Sequence, residues 1–346
     1  MIIFAIETSC DETSVAVVRN GREILSCELF SQADMHAMYG GVVPEIASRN
    51  HVAVIGRLCE LALKNAEISK KDIDAVAVTY APGLIGALLV GVNFAKGLAM
   101  ALDVPLIPVH HIRGHIAANY IAYPELEPPF LCCIVSGGNS LIADICDYTD
   151  IAILGRSRDD AAGECFDKAA RVMGLGYPGG PALDKLAQDG DDTFFDLPRP
   201  VIEGFPYDMS FSGLKTAVVN LVHNAEQKNE VLDKASLAAS FTRTVSEILL
   251  PRVMSAAVEF ERDKIAIAGG VAANSRIRAD FLKAAERENR TLYIPPLKLC
   301  GDNAAMIGCQ GYYEYKAGKT AGMSLDAYAT MDVDLCSEFM MERFKG

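Results

Sequence analysis

Three of the six histidines in this chain lie within six residues, in the segment His110–His115. The segment follows an apolar run, residues 104–109, that predicts a short buried strand. If a helix begins there, His111 and His115 lie one turn apart on the same face. Two neutral imidazoles at that spacing can bind one divalent metal ion. The spacing therefore indicates a metal site, with a polar loop of surface histidines as the alternative interpretation.

The histidine spacing is that of the H-E-x-x-H metallopeptidases, but their general base is missing. Ile112, Arg113 and Gly114 stand between the two histidines, and none of them can activate a zinc-bound water as Glu does. Asp302, which follows the last predicted strand, can supply a third ligand or can cap the next helix. We therefore expect a His-His-Asp site assembled from both halves of the chain, and not a peptidase.

The elements that must position these residues occur in the same order twice, on either side of the Pro-rich residues 124–129. The first half predicts strands at 2–7, 14–19, 23–30, 75–79 and 106–109, with helices at 44–66 and 84–101 and a helix that contains the histidines and runs to about residue 120. The second half predicts strands at 130–135, 141–145, 151–156, 264–268 and 291–294, with helices at 165–173, 231–261, 275–288 and 303–315.

Two β-β-β-α-β-α-β-α modules in tandem are the architecture of the superfamily of actin, the large heat-shock chaperones and the sugar kinases (ASKHA), an α/β fold. In that superfamily a nucleotide lies in the central cleft between two lobes. We expect an N-terminal lobe at residues 1–125 and a C-terminal lobe at 126–320, with an inserted, weakly periodic segment at about 176–230. The segment at about 320–346 is expected to pack back on the first lobe.

Three turns stand where such a fold contacts phosphate and nucleoside: Glu7–Thr13, Val135–Asn139 and Gly269–Asn274. Glycines in a turn let the backbone approach an anion and direct its amides towards phosphate oxygens. Each glycine pair alone is equally well explained by a tight turn, and only their agreement across both halves favours a nucleotide-type ligand. Asp167 can accept hydrogen bonds from a ribose or simply stabilise the start of a helix.

The bulk properties restrict the partners and the compartment. A net charge of −13 is unlike that of a protein that binds nucleic acid unaided, so such a substrate requires a local basic patch or a basic partner. Ten cysteines without a C-x-x-C pair predict free thiols in a reducing cytoplasm, and the N-terminus lacks a signal peptide. The apolar residues 84–102 are interrupted by Asn93 and Lys96, which predicts a buried helix.

Taken together, the motifs resemble those of one family along essentially the whole chain. They are Glu7–Thr13, His110–His115, Ser136–Asn139, Gly163–Lys168, Tyr177–Pro181, Ser210–Thr216 and Gly269–Asn274. By this combination the chain is identified as a member of the TsaD family, the tRNA N6-adenosine threonylcarbamoyltransferases.

The resemblance implies transfer of a threonylcarbamoyl group from threonylcarbamoyl-AMP to N6 of the adenosine 3′ of the anticodon, in tRNAs that read codons beginning with A. It implies one divalent metal ion, Fe(2+) first and Zn(2+) second, on His111, His115 and Asp302, with His110 outside the ligand set. The residues implied to bind the adenylate are Ile134, Val135, Ser136, Gly137, Gly138, Asp167, Gly180, Asp184 and Asn274.

One departure from the archaeal and eukaryotic pattern is visible: Ile134 stands where those members carry a Tyr ligand. The chain therefore resembles the bacterial branch, whose members work with the paralogue TsaB and the ATPase TsaE, and a coordination position is left to water or substrate. Asp11 or Glu12 is our candidate for the catalytic group that accepts the N6 proton. The alternative function is a small-molecule kinase or ATPase of the same fold; a metallopeptidase and a nucleotide-binding pseudoenzyme are further rivals.

Overall fold

The structure, a computed structural model, describes residues 1–334 and is built on two five-stranded sheets. The first half contains β1 (Ile2–Glu7), β2 (Glu12–Arg19), β3 (Glu23–Ser31), α1 (Ala33–Ala37), α2 (Pro44–Asn65), β4 (Ala75–Ala81), α3 (Ile85–Leu102), β5 (Leu106–His110) and α4 (His111–Ala122). The second contains β6 (Phe130–Val135), β7 (Ser140–Asp147), β8 (Asp150–Arg156), α5 (Ala162–Val172), α6 (Gly179–Ala187), α7 (Ser212–Lys228), α8 (Lys234–Glu259), β9 (Lys264–Ala268), α9 (Ser275–Arg287), β10 (Thr291–Tyr293) and α10 (Ala304–Lys316).

The two sheets have equivalent strand orders, β3-β2-β1-β4-β5 and β8-β7-β6-β9-β10. In each sheet the central strand pairs antiparallel with the next strand in sequence and parallel with the fourth. The antiparallel pair needs only a hairpin, whereas the parallel pairs need helical crossovers, which explains the order of elements in the sequence. The predicted α/β class and the duplicated module are confirmed.

The chain divides into two compact units, and both are discontinuous in sequence. Unit 1 contains residues 1–128, 146–151 and 295–334, and unit 2 contains residues 129–145 and 152–294. Unit 2 thus ends before α10, whereas the sequence interpretation assigned residues up to 320 to the second lobe. Residues 321–334 contact strands of unit 1, as in the hydrogen bonds Ala321 N to Leu106 O and Tyr328 N to Tyr80 O, both 2.9 Å. Residues 335–346 lie outside the described part of the chain.

The sheet of unit 1 has an apolar core on each face. Side chains alternate along a strand, so Phe4 and Ile6 of β1 pack with α2 and α3, while Ile3 and Ala5 pack with α10. The α10 helix approaches the sheet very closely at Gly311, where an added Cβ would lie 2.7 Å from Ala77 Cβ. This close approach places α10 directly against the sheet, and Asp302 lies two residues before α10 begins.

The α3 helix is only half-buried. Its buried side chains include Leu88, Val92 and Ala95, while Leu89 and Met100 are exposed, so the predicted burial holds for one face and not for the whole helix. By length and composition α3 could also cross a membrane, although core helices of soluble proteins pass the same test. The exposed apolar face adjoins α2, and the two helices border a groove in the surface of unit 1.

Unit 2 contains a helix that the sequence interpretation missed. The segment at about 176–230 was expected to be weakly periodic, but α7 occupies seventeen residues of it and buries Leu214, Val218, Val222 and Ala225 on one face. These residues follow helical spacing, so the signal was present. It was obscured by polar residues elsewhere in the helix and by the absence of a capping side chain at its start.

As predicted, all nine cysteines within residues 1–334 are free.

Candidate active site

His110 ends β5 and has a structural role. Its Nδ1 accepts a hydrogen bond from Ile112 N (3.2 Å) and so caps the start of α4. Its Nε2 donates to Met331 O (3.2 Å), so both ring nitrogens are occupied. Burial lowers the pKa of His110 to about 3, which keeps the ring neutral. His110 therefore anchors the helix and is not available as a metal ligand, which agrees with its exclusion from the implied ligand set.

The other two histidines meet Asp302 at the start of α4. His115 Nε2 lies 3.2 Å from Asp302 Oδ1, and His111 Nε2 lies 3.5 Å from the same oxygen. One ligand atom from each residue lies within 4.8 Å of the others, a spacing that suits a single cation. Asp302 comes from the second half of the sequence, as expected, but it lies in unit 1 together with both histidines. All three side chains are largely withdrawn from solvent, which excludes the alternative of surface histidines.

Asp302 is available as a ligand because its neighbour caps the helix. Asn303 Oδ1 accepts a hydrogen bond from Met306 N (3.0 Å) in the first turn of α10. The alternative interpretation of Asp302 as the helix cap is therefore wrong. Asn and Asp are equally good caps, so the sequence Asp302-Asn303 alone could not decide between them.

Glu7 is a further candidate for a functional role, although its sequence position indicates only that it begins a turn. It is the last residue of β1 and is fully buried. Its Oε2 lies 3.1 Å from His111 Nδ1 and accepts a hydrogen bond from Thr79 Oγ1, and its Oε1 accepts one from Ser9 N. A carboxylate that holds the Nδ1 proton of a histidine directs Nε2 towards the metal and makes it a better ligand. The available signal was a charged residue that ends an apolar strand.

The charges of this cluster are strongly coupled. Burial opposes a charge on His111, but the carboxylates of Asp302 and Glu7 outweigh it and raise the pKa of His111 to about 9. Burial likewise opposes the charge on the two carboxylates, yet the His111 imidazolium holds the pKa of both below their ordinary values. The two carboxylates therefore favour a positive charge at His111.

His115 gives the strongest indication that this charge is a metal ion. The side chain is buried, and its Nδ1 has no hydrogen-bond partner within residues 1–334, while its Nε2 faces Asp302 Oδ1 at 3.2 Å without the geometry of a hydrogen bond. A buried polar group left without a partner costs about 1–3 kcal/mol, and a metal–ligand bond removes that cost. Two imidazoles and one carboxylate with open positions form a ligand set that suits iron(II) or zinc. The residues present therefore fit a divalent metal.

The two candidate proton acceptors follow Glu7 in the hairpin between β1 and β2. Asp11 is buried, and Glu12 is the first residue of β2, where its Oε1 accepts a hydrogen bond from Ser31 Oγ (3.1 Å). Burial, together with the charges of Asp302 and Asp11, raises the pKa of Glu12 to about 9. Glu12 thus lies within electrostatic reach of Asp302, the candidate metal ligand, and a cation on Asp302 would oppose this rise.

In unit 2 the turn Ser136–Asn139 joins β6 to β7, and two glycines allow other segments to pack against it. Ile134 and Val135 precede the turn as fully buried residues of β6. A Cβ on Gly163 would lie 2.4 Å from Ser136 O. Gly269 has a φ of +92°, and a Cβ there would lie 2.4 Å from Val135 O. These two glycines are explained by packing and by backbone conformation alone.

Gly137, Gly138, Gly180 and Gly270 have a different environment, which Gly176 and Gly204 of unit 2 share. A Cβ built on any of them would meet no atom within 4 Å. Packing therefore does not require glycine at these positions. A bare backbone that borders open space leaves room for a ligand to approach the amides closely, as phosphate-binding turns do.

The polar residues predicted for the adenylate are linked to these turns. Asp167 Oδ1 accepts a hydrogen bond from Gly179 N (3.0 Å), next to Gly180 at the start of α6. Asp184 accepts hydrogen bonds from the amide and hydroxyl of Ser275. Asn274 caps α9 through Oδ1, while its buried Nδ2 lacks a partner within residues 1–334. All nine predicted adenylate residues thus lie in unit 2, and Asn274 provides an unused donor there.

Comparison with known proteins identifies relatives of this chain. The family model described as "TsaD: tRNA N6-adenosine threonylcarbamoyltransferase" matches residues 23–309. A tRNA N6-adenosine threonylcarbamoyltransferase of Clostridium perfringens is 51% identical over 326 residues, which cover 94% of this chain and 96% of the relative. One of Clostridium botulinum with the same description is 50% identical over 325 residues, with the same coverage of both chains.

Solved structures resemble the chain in fold. Component A of the (R)-2-hydroxyglutaryl-CoA dehydratase of Acidaminococcus fermentans matches with a TM-score of 0.53 and 17% identity, over 92% of this chain and 98% of that one. HypF of T. kodakarensis matches with a TM-score of 0.60 and 16% identity, over 91% of this chain and 48% of its own length. At these identities the likeness supports the ASKHA-type fold and nothing further.

Proposed function

The chain belongs to the TsaD family of tRNA N6-adenosine threonylcarbamoyltransferases, and we propose that its His111, His115 and Asp302 bind the divalent metal ion that orients the transferred group. The family makes the chain an enzyme that modifies tRNA by attaching threonylcarbamoyl to adenosine N6. None of the findings favours the kinase alternative.

The proposed donor is threonylcarbamoyl-AMP, with its adenylate bound by unit 2. The open space above Gly137 and Gly138 and the unused donor of Asn274 support this assignment. Amides of the turn that begins at Ser136 would stabilise the charge on the departing AMP phosphate, because fixed dipoles need no reorganisation during the reaction. Asp167 would accept a hydrogen bond from the ribose.

The single observation that carries the metal proposal is the convergence of the buried His115 with His111 and Asp302. Their ligand atoms lie within 4.8 Å of one another, and His115 Nδ1 has no hydrogen-bond partner within residues 1–334. Iron(II) is the first choice and zinc the second. When bound, such an ion supplies Lewis-acid polarisation of the carbamoyl oxygen and orientation of the threonyl carboxylate. Glu7 would hold the His111 ring through Nδ1, and His110 would fix the start of α4.

The proposed acceptor is the adenosine 3′ of the anticodon, in tRNAs that read codons beginning with A. Its N6 amine is a weak nucleophile, because the lone pair is delocalised into the ring, so placement contributes more than basicity. We assign removal of the N6 proton to Asp11 or Glu12 on the first hairpin. A normal turnover number in both Asp11→Asn and Glu12→Gln would contradict this assignment.

The charge balance favours partner proteins. At a net charge of −13 the isolated chain should bind tRNA weakly, and basic surfaces of TsaB and TsaE would supply the missing attraction for the phosphates.

A groove of about 510 Å³ between α2 and α3 is lined by Val52, Ile55, Gly56, Leu89, Val90, Asn93 and Phe94. We propose that TsaB packs against this groove, because it exposes apolar side chains such as Val52 and Leu89. The proposed compartment is the cytoplasm, where the thiols remain reduced.

The test is transfer of labelled threonine to a suitable tRNA by the purified chain with TsaB, TsaE and threonylcarbamoyl-AMP. His111→Ala is expected to lose bound metal and to reduce transfer by about 100-fold or more, since it removes a direct ligand whose supporting residues alone are worth 10- to 100-fold. The exposed His223 on α7 provides the matched control His223→Ala, which should behave as the unaltered protein. Full transfer by a metal-free His111→Ala protein would refute the proposal.

A further inference from the structure

The hairpin between β1 and β2 is held from several elements of unit 1. Three consecutive carbonyl groups accept hydrogen bonds: Ser9 O from Leu84 N (2.8 Å), Cys10 O from His51 Nε2 (2.9 Å) and Asp11 O from Gln32 N (3.2 Å). The outer two donors are backbone amides, which any residue would provide. The middle donor is a side chain, so this contact depends on the identity of residue 51.

His51 contacts the hairpin at a second point as well. It lies on α2, is fully buried, and its Nδ1 accepts a hydrogen bond from Thr13 Oγ1 (2.7 Å). Because a carbonyl oxygen can only accept, the proton must be on Nε2 and the lone pair on Nδ1. Burial lowers the pKa of His51, which keeps this neutral form. The His51 ring therefore links Cys10, which precedes Asp11, to Thr13, which follows Glu12.

This arrangement constrains the two candidate proton acceptors directly. The peptide between Cys10 and Asp11 is planar, so holding Cys10 O fixes the direction in which the chain enters Asp11. Holding the Thr13 side chain fixes the strand immediately after Glu12. His51 also lies next to Val52, which lines the groove between α2 and α3. The helix that borders the proposed partner site is thus bonded to the hairpin.

We propose that His51 is a positioning residue for threonylcarbamoyl transfer, which holds the hairpin in the geometry in which Asp11 and Glu12 act. The proposal rests on the proposed function, in which those two carboxyl groups are the candidate proton acceptors. The hydrogen bonds of His51 go to Cys10 and Thr13, and neither is a proposed metal ligand or adenylate residue. Its effect should therefore reach the reaction through the hairpin alone.

Two substitutions separate positioning from space filling. His51→Phe keeps a ring of similar size and removes both hydrogen bonds. His51→Gln places an amide donor near the position of Nε2 and so retains the bond to Cys10 O, but loses the acceptor for Thr13. Ser26→Ala is the matched control, because Ser26 Oγ donates to Ala62 O on the same helix (2.7 Å) and does not contact the hairpin.

In the complete transfer assay we expect kcat of His51→Phe to fall by roughly 10- to 100-fold, because small misplacements of catalytic groups have effects of that size. KM for threonylcarbamoyl-AMP and bound metal should remain unchanged. His51→Gln should recover most of kcat, and Ser26→Ala should retain it. Adding His51→Phe to the double variant Asp11→Asn, Glu12→Gln should cause little further loss, since the residues act as one unit.

Several outcomes would overturn the proposal. An unchanged kcat in His51→Phe, while Asp11→Asn and Glu12→Gln are impaired, would refute positioning and leave the role of the hairpin intact. Normal turnover in both Asp11→Asn and Glu12→Gln would instead refute the assignment of proton removal to these residues, on which the proposal rests. Equal losses of kcat in His51→Phe and His51→Gln would show that the hydrogen bond to Cys10 O has no part in the effect, and would refute the proposal. If His51→Phe does not fold, Thr13→Val, which removes one of the two contacts, must lower kcat severalfold at constant KM, or the proposal fails.

Discussion

The hairpins that follow β1 and β6 occupy equivalent places in the duplicated fold and are used in opposite ways. The first, between Glu7 and Glu12, consists of side chains and carbonyls fastened to neighbouring elements, with a buried carboxylate that holds His111. The second, Ser136–Asn139, closes on itself through Ser136 N to Asn139 O, and its two glycines border open space. The same connection thus suits a metal centre in unit 1 and a nucleotide-type site in unit 2.

The difference reflects what each ligand requires. A metal ion needs a few fixed side-chain donors and a balance of buried charge, which Glu7 and Asp302 provide against the histidines. A phosphate needs backbone amides that it can approach closely, and a side chain would block that approach. Topology therefore supplies the position, while residue type decides the chemistry.

Removing the charge of Glu7 should have the largest effect, because it should weaken the metal site of unit 1 and leave the adenylate site of unit 2 unchanged. Glu7→Gln is expected to weaken metal binding by roughly 10- to 100-fold, the usual effect of losing a carboxylate behind a ligating histidine. Binding of an adenylate to unit 2 should be unaffected. Metal affinity measured by competition with a chelator, and adenylate affinity by calorimetry, check the two halves separately. A variant that retains full metal affinity would show that His111 is oriented by other contacts.

Lowering the pH should weaken metal binding at His111, His115 and Asp302. The pKa of His111 is raised to about 9, so near neutral pH the ring is protonated and must lose one proton to bind a metal through Nε2. Metal affinity should therefore fall by about tenfold for each pH unit below that value. Calorimetry at pH 7 in two buffers of different ionisation enthalpy should detect release of about one proton per metal ion. Binding without proton release would contradict the assignment.

A matched pair of glycines tests the second hairpin with the smallest expected effects. Gly138→Ala adds a Cβ to open space, so the free energy of unfolding should change by no more than about 0.5 kcal/mol. KM for threonylcarbamoyl-AMP should nevertheless rise severalfold. Gly163→Ala places a Cβ 2.4 Å from Ser136 O and should lower the free energy of unfolding by about 1–3 kcal/mol. Denaturant unfolding and steady-state kinetics would distinguish the two variants. Equal changes in stability and in KM for both variants would refute the proposal that Gly138 leaves room for the ligand.

Sequence periodicity predicted the strands and the histidine helix because these elements bury apolar faces with a clear repeat. β1, β6 and β9 begin and end as expected, and α4 contains both His111 and His115. The helix α7 was missed because its buried stripe is narrow and its start carries no cap. Boundaries set by tertiary contacts, such as the return of α10 to unit 1, leave no local pattern in the sequence.

The candidate site was predictable to the extent that its residues belong to a recognisable motif. His111, His115 and Asp302 were selected in advance, and the structure brings them together. The roles of Glu7 and His51 were not predicted, since each depends on contacts with residues far away in sequence. Likewise, the choice between Asp302 and Asn303 as the helix cap needed the geometry of α10.

The discontinuity of unit 1 has a consequence for biosynthesis. The two histidines precede residues 129–145 and 152–294 of unit 2 on the chain, whereas Asp302 follows them. A nascent chain on the ribosome therefore carries two of the three ligands long before the third has been translated. Stable metal loading has to wait until unit 2 has been synthesised, so a prematurely terminated product would expose the histidines without forming the complete site.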